Sequence, residues 1–276
     1  YIQVVDTIQL EDLIPLINWE MFLKGWDVPR SSDEAKKVKK EAMELLQSKK
    51  VKEALNASIK AIFGLFPVKK LEDETIAILD EHGYVIHSMN FLRSQNPNAS
   101  HQCLSLSDYI HDDSLDTMGM FVATSALTLS SLLSEFDKGN EIYDSLLLST
   151  IGDSLAEALS EYLHKQIVHP MWTSLSTVST LRPAIGYPSV PDHLMKRTIF
   201  ETLHATDKIG VVLTDEMAMS PVSSVSGLYF ADTECSYFSL SSISEEQFEL
   251  YSSHINKERD EILHYMPIDI VKEKKE

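Results

Sequence analysis

The chain has 276 residues, with 24 Lys and Arg against 42 Asp and Glu, a formal net charge of −18 at pH 7. That balance argues against phosphate-backbone binding, which needs cations to displace counterions, so nucleic acid is not an expected partner. With 43% hydrophobic and 24% charged residues the composition is that of an ordinary globular protein, able to bury about three-quarters of its extended surface. From the N-terminus, Ile8 to Leu23 mixes apolar and acidic residues, with Pro15 marking an irregular stretch or a helix start. Ser31-Ser32-Asp33-Glu34 is a helix-start signal. Beyond it Ala35, Val38, Ala42, Leu45 and Leu46 recur at helical spacing among lysines, giving an amphipathic surface helix expected to run on to Leu55.

Short β-like runs come next, Ala61 to Phe66, Thr75 to Leu79 and Tyr84 to His87, with His82-Gly83 as the turn of a hairpin between the last two. Cys103 to Ser107 alternates with period two and reads as another strand. Thr117 to Phe136 reads as a buried helix. The clearest helix carries Leu147, Ile151, Leu155, Leu159, Leu163 and Ile167 at intervals of four, with Asp153, Glu157, Ser160, Glu161 and His164 opposite and Pro170 as its expected end. A loop rich in Ser, Thr and Pro runs to Pro191, and Asp192 to His204 reads as helix. Ile209 to Leu213, Val225 to Phe230 and Ser236 to Leu240 read as strands, Glu245 to Ile255 as the last helix, and residues 272–276 as a frayed tail. The mixture, with a hairpin and no Pro/Gly-rich linker, indicates an α+β fold in one domain spanning residues 1–276.

Several chemistries are missing from the sequence. Nine glycines, none two apart, give no GxGxxG, and neither a phosphate loop GxxxxGK[ST] nor a GxSxG elbow occurs. Cys103 and Cys235 make neither a disulfide framework nor a zinc knuckle, and suit a reducing cytoplasm. His111-Asp112-Asp113 reads as solvated turn residues, since neighbours on a loop seldom converge on one ion. The longest uncharged run, Thr117 to Ser134, lacks the sustained apolar character of a membrane span.

The unusual segment is Leu181-Arg182-Pro183-Ala184-Ile185-Gly186-Tyr187-Pro188. Two prolines fix the backbone around a glycine, so a ligand can approach closely. Arg182 offers a planar fork for a carboxylate, and Tyr187 an aromatic face with a polar tip. Spacing alone favours a rigid loop with Arg182 in an internal ion pair.

Arg-Pro-Ala-Ile-Gly-Tyr-Pro, followed by Pro191-Asp192-His193, resembles the RPAxGYPxxPxH signature of the AdoMet-binding activation domain of cobalamin-dependent methionine synthase. Further matches run in order over about residues 10 to 240. Ile17 to Trp26 resembles the family's IDWxxFFxxW opening and Ala61 to Pro67 its GLFP strand. Leu104 to Ile110 is similar to its LADF stretch, and Leu155 to His164 to its LAEAFAEYLH helix. Glu216 to Met219 and Ser223 to Phe230 resemble its AMxPxxSVSGxYF segment.

The resemblance implies an α+β domain with a twisted antiparallel sheet flanked by helices. It implies a domain that brings S-adenosylmethionine (AdoMet) to the cobalamin of a partner domain or chain. There cob(II)alamin is reductively methylated to methylcobalamin, with the electron from flavodoxin or an equivalent reductase. By resemblance Arg182 binds the AdoMet carboxylate, and the backbone of Ala184 and Gly186 meets adenosine or the amino-acid moiety. Glu157 is the anion favouring the cationic ligand, Tyr229 and Phe230 contact it near a strand end, and Tyr187 and His193 face the corrin.

One departure stands out: the family's opening Asp, which receives the AdoMet ammonium, is Asn18 here. The resemblance thus implies either a working activation component, unable to methylate homocysteine alone, or a non-catalytic module that keeps the corrinoid-protein interface without AdoMet. It fits a domain of a longer chain and a free-standing divergent version alike.

Overall fold

The structure, a computed structural model, describes residues 1–72, 74–98, 100–112, 114–139, 141–173 and 178–271. The expected tail at 272–276 and the Asp113 turn position lie outside the described residues. Strand β1 (Ile2–Val5) leads into helix α1 (Leu10–Leu13), a 3-10 turn at Ile14–Leu16 with Pro15 in its first turn, and α2 (Trp19–Gly25). Ser32 caps α3 (Asp33–Gln47), its Oγ accepting from the Ala35 N–H at 3.0 Å. The long helix expected to Leu55 is broken at Ser48, whose extended backbone separates α3 from α4 (Lys49–Ser58).

The sheet is built around β2 (Lys60–Lys70), whose eleven residues are long enough to be shared. On one side it pairs antiparallel with β5 (Asp116–Thr124), from Lys60↔Thr124 to Val68↔Asp116. On the other, its first half takes β1 and its last residues take β3 (Thr75–Leu79), which hairpins into β4 (Val85–Asn90). Gly83, at φ 83°, turns that hairpin as expected. Beyond α5 (Leu129–Lys138), α6 (Ile142–Tyr162) and α7 (His169–Thr173), the chain forms the short strand β6 (Ser179–Leu181). Helices α8 (Met195–Leu203) and α9 (Ala205–Ile209) and the small pair β7 (Val212–Leu213) and β8 (Met219–Ser220) follow, then β9 (Ser224–Asp232). Strand β9 lies between β5 and β6, so the order is β4-β3-β2-β5-β9-β6 with β1 beside β2.

Alternation along these strands sorts the core into two layers. Phe63, Phe121 and Tyr229 face one cluster, shared with α1–α6, while Ile62, Met120, Leu228 and Phe230 face another under α8 and α9. The fold is therefore α+β, an antiparallel sheet flanked by helices on both faces. A third cluster, around Leu240, Ile243, Phe248, Tyr251 and Ile262, gathers β10 (Ser242–Ser244), α10 (Glu245–Ile255), α11 (Arg259–Tyr265) and β11 (Asp269–Val271).

Other expectations need correction. The first half of the expected helix at Thr117–Phe136 is β5; a run buried on both faces has no period to tell strand from helix. Cys103–Ser107 makes a single bridge, Ser105 to Arg93, and then a 3-10 turn at Leu106–Tyr109, because the Asp108 carboxylate accepts from the Ser105 N–H. Ser236–Leu240 is not a strand, the helix expected from Asp192 begins at Met195, and the strand expected at Ile209–Leu213 is only Val212–Leu213. Pro170 does not end the long helix. A π-turn at Leu163–Val168 carries it on into α7, where Pro170 is the second residue.

Candidate functional site

Helix α6 buries Leu147, Ile151, Leu155 and Leu159 against the sheet, as the four-residue spacing requires. Its other face carries Asp153, Glu157 and Glu161, each about 6 Å further along the axis. These three carboxylates form one wall of a cleft of about 830 Å³. The start of α2 supplies the facing wall with Asn18, Met21 and Phe22, Val222 and Ser223 close one end, and Arg182 and Tyr187 complete the lining.

Arg182 follows edge strand β6, and its side chain is only 13% exposed. Its guanidinium lies 5.9 Å from the Phe121 ring centre, with Nη1 3.9 Å from Glu157 and Nη2 3.4 Å from Glu161. The internal ion pair allowed by the sequence is thus present, yet it is loose, and the buried Nε has no partner among the described residues. Burial works to raise the Glu161 carboxyl, but Lys165, 2.6 Å away, and Arg182 outweigh it and hold the group below its ordinary range. The Tyr187 hydroxyl donates to Glu157 at 2.7 Å; burial and that carboxylate push the phenol up to about 12, so it stays a donor.

Asn18 is the N-cap of α2. Its Oδ1 accepts from the N–H groups of Glu20 at 3.2 Å and Met21 at 3.1 Å, which spends both lone pairs of that oxygen on the helix. The part of Asn18 left for the cleft is its amide NH2 group, a donor.

The Arg-Pro-Ala loop lies hard against β9. Leu228 N–H donates to the Pro183 carbonyl and Ile185 N–H to the Ser226 carbonyl, both at 2.9 Å, and Ala184 bridges Gly227. Gly186 adopts φ 90°, and a Cβ there would stand 2.5 Å from His193 Cε1, so only glycine lets that imidazole lie across the turn.

The structure therefore brings Asn18, Glu157, Arg182 and Tyr187 to one cleft. Ala184 and Gly186 support it from behind through the loop backbone, and His193 sits against Gly186, its imidazole held below its ordinary value by burial and Lys196. Tyr229 and Phe230 part company because successive strand residues face opposite ways. The Tyr229 ring is fully buried, stacked between Phe121 at 4.9 Å and His164 at 5.7 Å. Phe230 packs on the far face with Phe91 and Tyr109. Asp153, Glu161 and Tyr237 are absent from the predicted site. The i, i+4, i+8 spacing on α6 carried a signal for the first two. Nothing in the sequence marked Tyr237, whose hydroxyl accepts from the Arg182 N–H at 3.2 Å and donates to the Arg182 carbonyl at 3.0 Å. Among the described residues no cluster of His, Cys, Asp and Glu could hold a metal ion; His111 pairs with Asp116 and Asp112 with Lys70.

A family model for the vitamin B12-dependent methionine synthase activation domain matches residues 9–256. The chain belongs to that family. Among solved structures, it is similar to a crystal structure of the MetH reactivation domain bound to AdoHcy, at 27% identity and a TM-score of 0.86, covering 98% of this chain and 90% of that one. Activation-domain fold and cleft are thus seen together here. Among the described residues no helix is long and apolar enough to cross a membrane.

Proposed function

We propose that this activation-domain family member, acting as one unit over residues 1–276, binds AdoMet in the cleft between α2 and α6. It presents the ligand to the cobalamin of a methionine synthase or related corrinoid protein, for reductive methylation of cob(II)alamin to methylcobalamin. Flavodoxin or an equivalent reductase in the cytoplasm supplies the electron. The observation that carries the reading is the largely buried Arg182 guanidinium, with an unspent Nε, in a cleft it shares with Asp153, Glu157 and Glu161 of α6. AdoMet has the complementary charges: a carboxylate for Arg182, and an ammonium and a sulfonium for the Asp153, Glu157 and Glu161 side. A related domain with AdoHcy bound supports the same ligand class. The cobalt chemistry is the corrinoid's; this chain contributes binding and orientation, with Tyr187 exposed at the cleft rim and His193 behind it on the corrin-facing side.

The second reading, a corrinoid-protein interaction module without AdoMet, is favoured by Asn18, whose oxygen is spent on the α2 cap. Calorimetric titration with AdoMet separates the two. Arg182→Ala should weaken binding by about 2–3 kcal/mol, roughly thirty- to 150-fold, because a charge-assisted fork to a carboxylate is lost. Asn18→Asp keeps a capping oxygen and adds a charge, and should tighten binding by about five- to thirtyfold. No heat from the wild type, with binding gained in Asn18→Asp, would establish the second reading. Unchanged affinity in Arg182→Ala would refute the site.

A further inference from the structure

The ligand loop is anchored at its start by β9 through Pro183 and Ile185, but from Gly186 to His193 it leaves the sheet. There its own turn holds it, Gly186 N–H to the Val190 carbonyl at 2.8 Å, the Tyr187 hydroxyl reaches Glu157 on α6, and further support comes from the C-terminal unit of β10, α10 and α11 and the segment before it. The Tyr237 hydroxyl brackets the backbone of Arg182, and Leu240 N–H donates to the Pro188 carbonyl at 2.8 Å. His193 N–H donates to the Tyr265 carbonyl at 3.0 Å, and the Tyr251 hydroxyl on α10 donates to Asp192. Asp192 and Tyr251 are 2% and 4% exposed, so water does not compete for that bond. The other Asp192 oxygen accepts from the Leu194 N–H at 2.8 Å, fixing the turn into α8. One buried carboxylate thus joins the end of the ligand loop to both flanking helices. Tyr265 lies beyond residue 256, where the family match stops.

We propose that residues 237–265 form a clamp on the ligand loop, and that Tyr251, acting through Asp192, is a positioning residue for Arg182 and Tyr187 in the cleft. The inference rests on the AdoMet reading above. Its consequence is reciprocal: if the clamp orders the loop for ligand, bound ligand must tighten the clamp by the same factor, at residues that do not line the cleft.

The test is amide hydrogen exchange of the full chain with and without saturating AdoMet, beside AdoMet titrations of wild type and Tyr251→Phe. Exchange across α10 and α11 should slow about threefold or more with ligand, and Tyr251→Phe should weaken AdoMet about fivefold while abolishing that slowing. A purely structural tyrosine would lower the melting temperature and leave affinity well below it untouched. Should Tyr251→Phe fail to fold, Tyr237→Phe, on an exposed ring, removes the clamp's other hydroxyl contact to the loop, the one that brackets the Arg182 backbone, and tests the clamp at that point. If wild type binds AdoMet and exchange in α10 and α11 does not change, or if the folded variant binds as wild type does, the clamp is refuted while the ligand reading stands. A wild type that binds no AdoMet removes both.

Discussion

At Gly227 the ligand loop bridges the sheet through Ala184, and Gly227→Ala measures what that closeness is worth. A methyl there would stand 2.5 Å from the Pro183 carbonyl oxygen, 2.7 Å from Phe121 Cε1 and 3.0 Å from Ala184 Cα. Carbon and carbonyl oxygen ordinarily stay about 3.3 Å apart or more, so the loop must retreat by roughly 0.8 Å. The two 2.9 Å bonds that hold it, Leu228 to Pro183 and Ile185 to Ser226, then stretch to about 3.7 Å and are lost. Two bonds at about 1 kcal/mol each and an overpacking cost of about 1–2 kcal/mol give a destabilisation of about 3–4 kcal/mol. In a chain of this size that lowers the melting temperature by about 6–10 °C. Arg182 is the residue before Pro183 and moves with it, so AdoMet affinity should fall about tenfold beyond any loss of folded protein. Thermal melts followed by circular dichroism and titrations at low temperature read the two effects separately. A melting temperature within about 2 °C of wild type with unchanged affinity would refute the argument that loop and strand are in obligatory contact.

His164 gives a pH dependence. Burial beside Tyr229, followed by the nearby Arg182 charge, lowers its imidazole to about 4, against about 6.5 in the unfolded chain. The unfolded chain therefore takes up a proton first, so the contribution is fully present above about pH 6.5 and is lost as pH falls towards 4, on the order of 2 kcal/mol. His164→Gln should flatten that part of the profile, and equal slopes in wild type and variant, from urea midpoints between pH 7.5 and 5, would refute the assignment. Arg93→Met tests stability apart from ligand binding. Its guanidinium bridges Glu74 and Asp108 at 2.6–2.7 Å and donates to the Cys103 carbonyl at 2.6 Å. Removing it leaves two half-buried carboxylates side by side and should cost about 2–3 kcal/mol, with AdoMet affinity unchanged because none of the three residues lines the cleft. A loss of affinity without a loss of stability would count against that separation.

How far the sequence could be read depended on whether a period was visible. The four-residue stripe on α6 states which face is buried, and that helix is where the pattern puts it. Strand β5 shows no such period, because residues Met118 to Thr124 are buried on both faces, and an apolar run without contrast reads as well for a helix. Pro170 misled because the helix does not stop there: immediately ahead of it the π-turn shifts the hydrogen-bond register, His169 N–H bonding the His164 carbonyl five residues back, and the helix runs on into α7. In the site, residue types at fixed spacing were legible: Arg182 and Tyr187 on their loop, Glu157 on its helix. Tyr229 and Phe230 were legible as aromatic but not as a pair, since placing both at one ligand ignores the two-residue period of the strand that bears them. Tyr237 was invisible because its role is to bond the backbone of a residue 55 positions away, and backbone partners leave no mark on composition.

At Asn18 the helix cap and the proposed ligand make competing demands on one side chain. An aspartate at an N-cap holds the helix with one carboxylate oxygen and keeps the second, with its charge, for another partner; an asparagine that holds the helix with its only oxygen turns a donor outward instead. The cleft therefore has its negative charge on one wall, α6, and Arg182 between Glu157 and Glu161 offsets part of it. On the AdoMet reading, a carboxylate on Arg182 would displace that loose pairing and leave more of the charge of Glu157 and Glu161 to the ligand's cationic groups, although Tyr187 and Lys165 still bond them. On that reading the charge that the α2 wall lacks would come from α6. On this argument Asn18→Asp and Glu157→Gln should act in opposite directions on AdoMet affinity and less than additively together, because both change the field at the same bound cation.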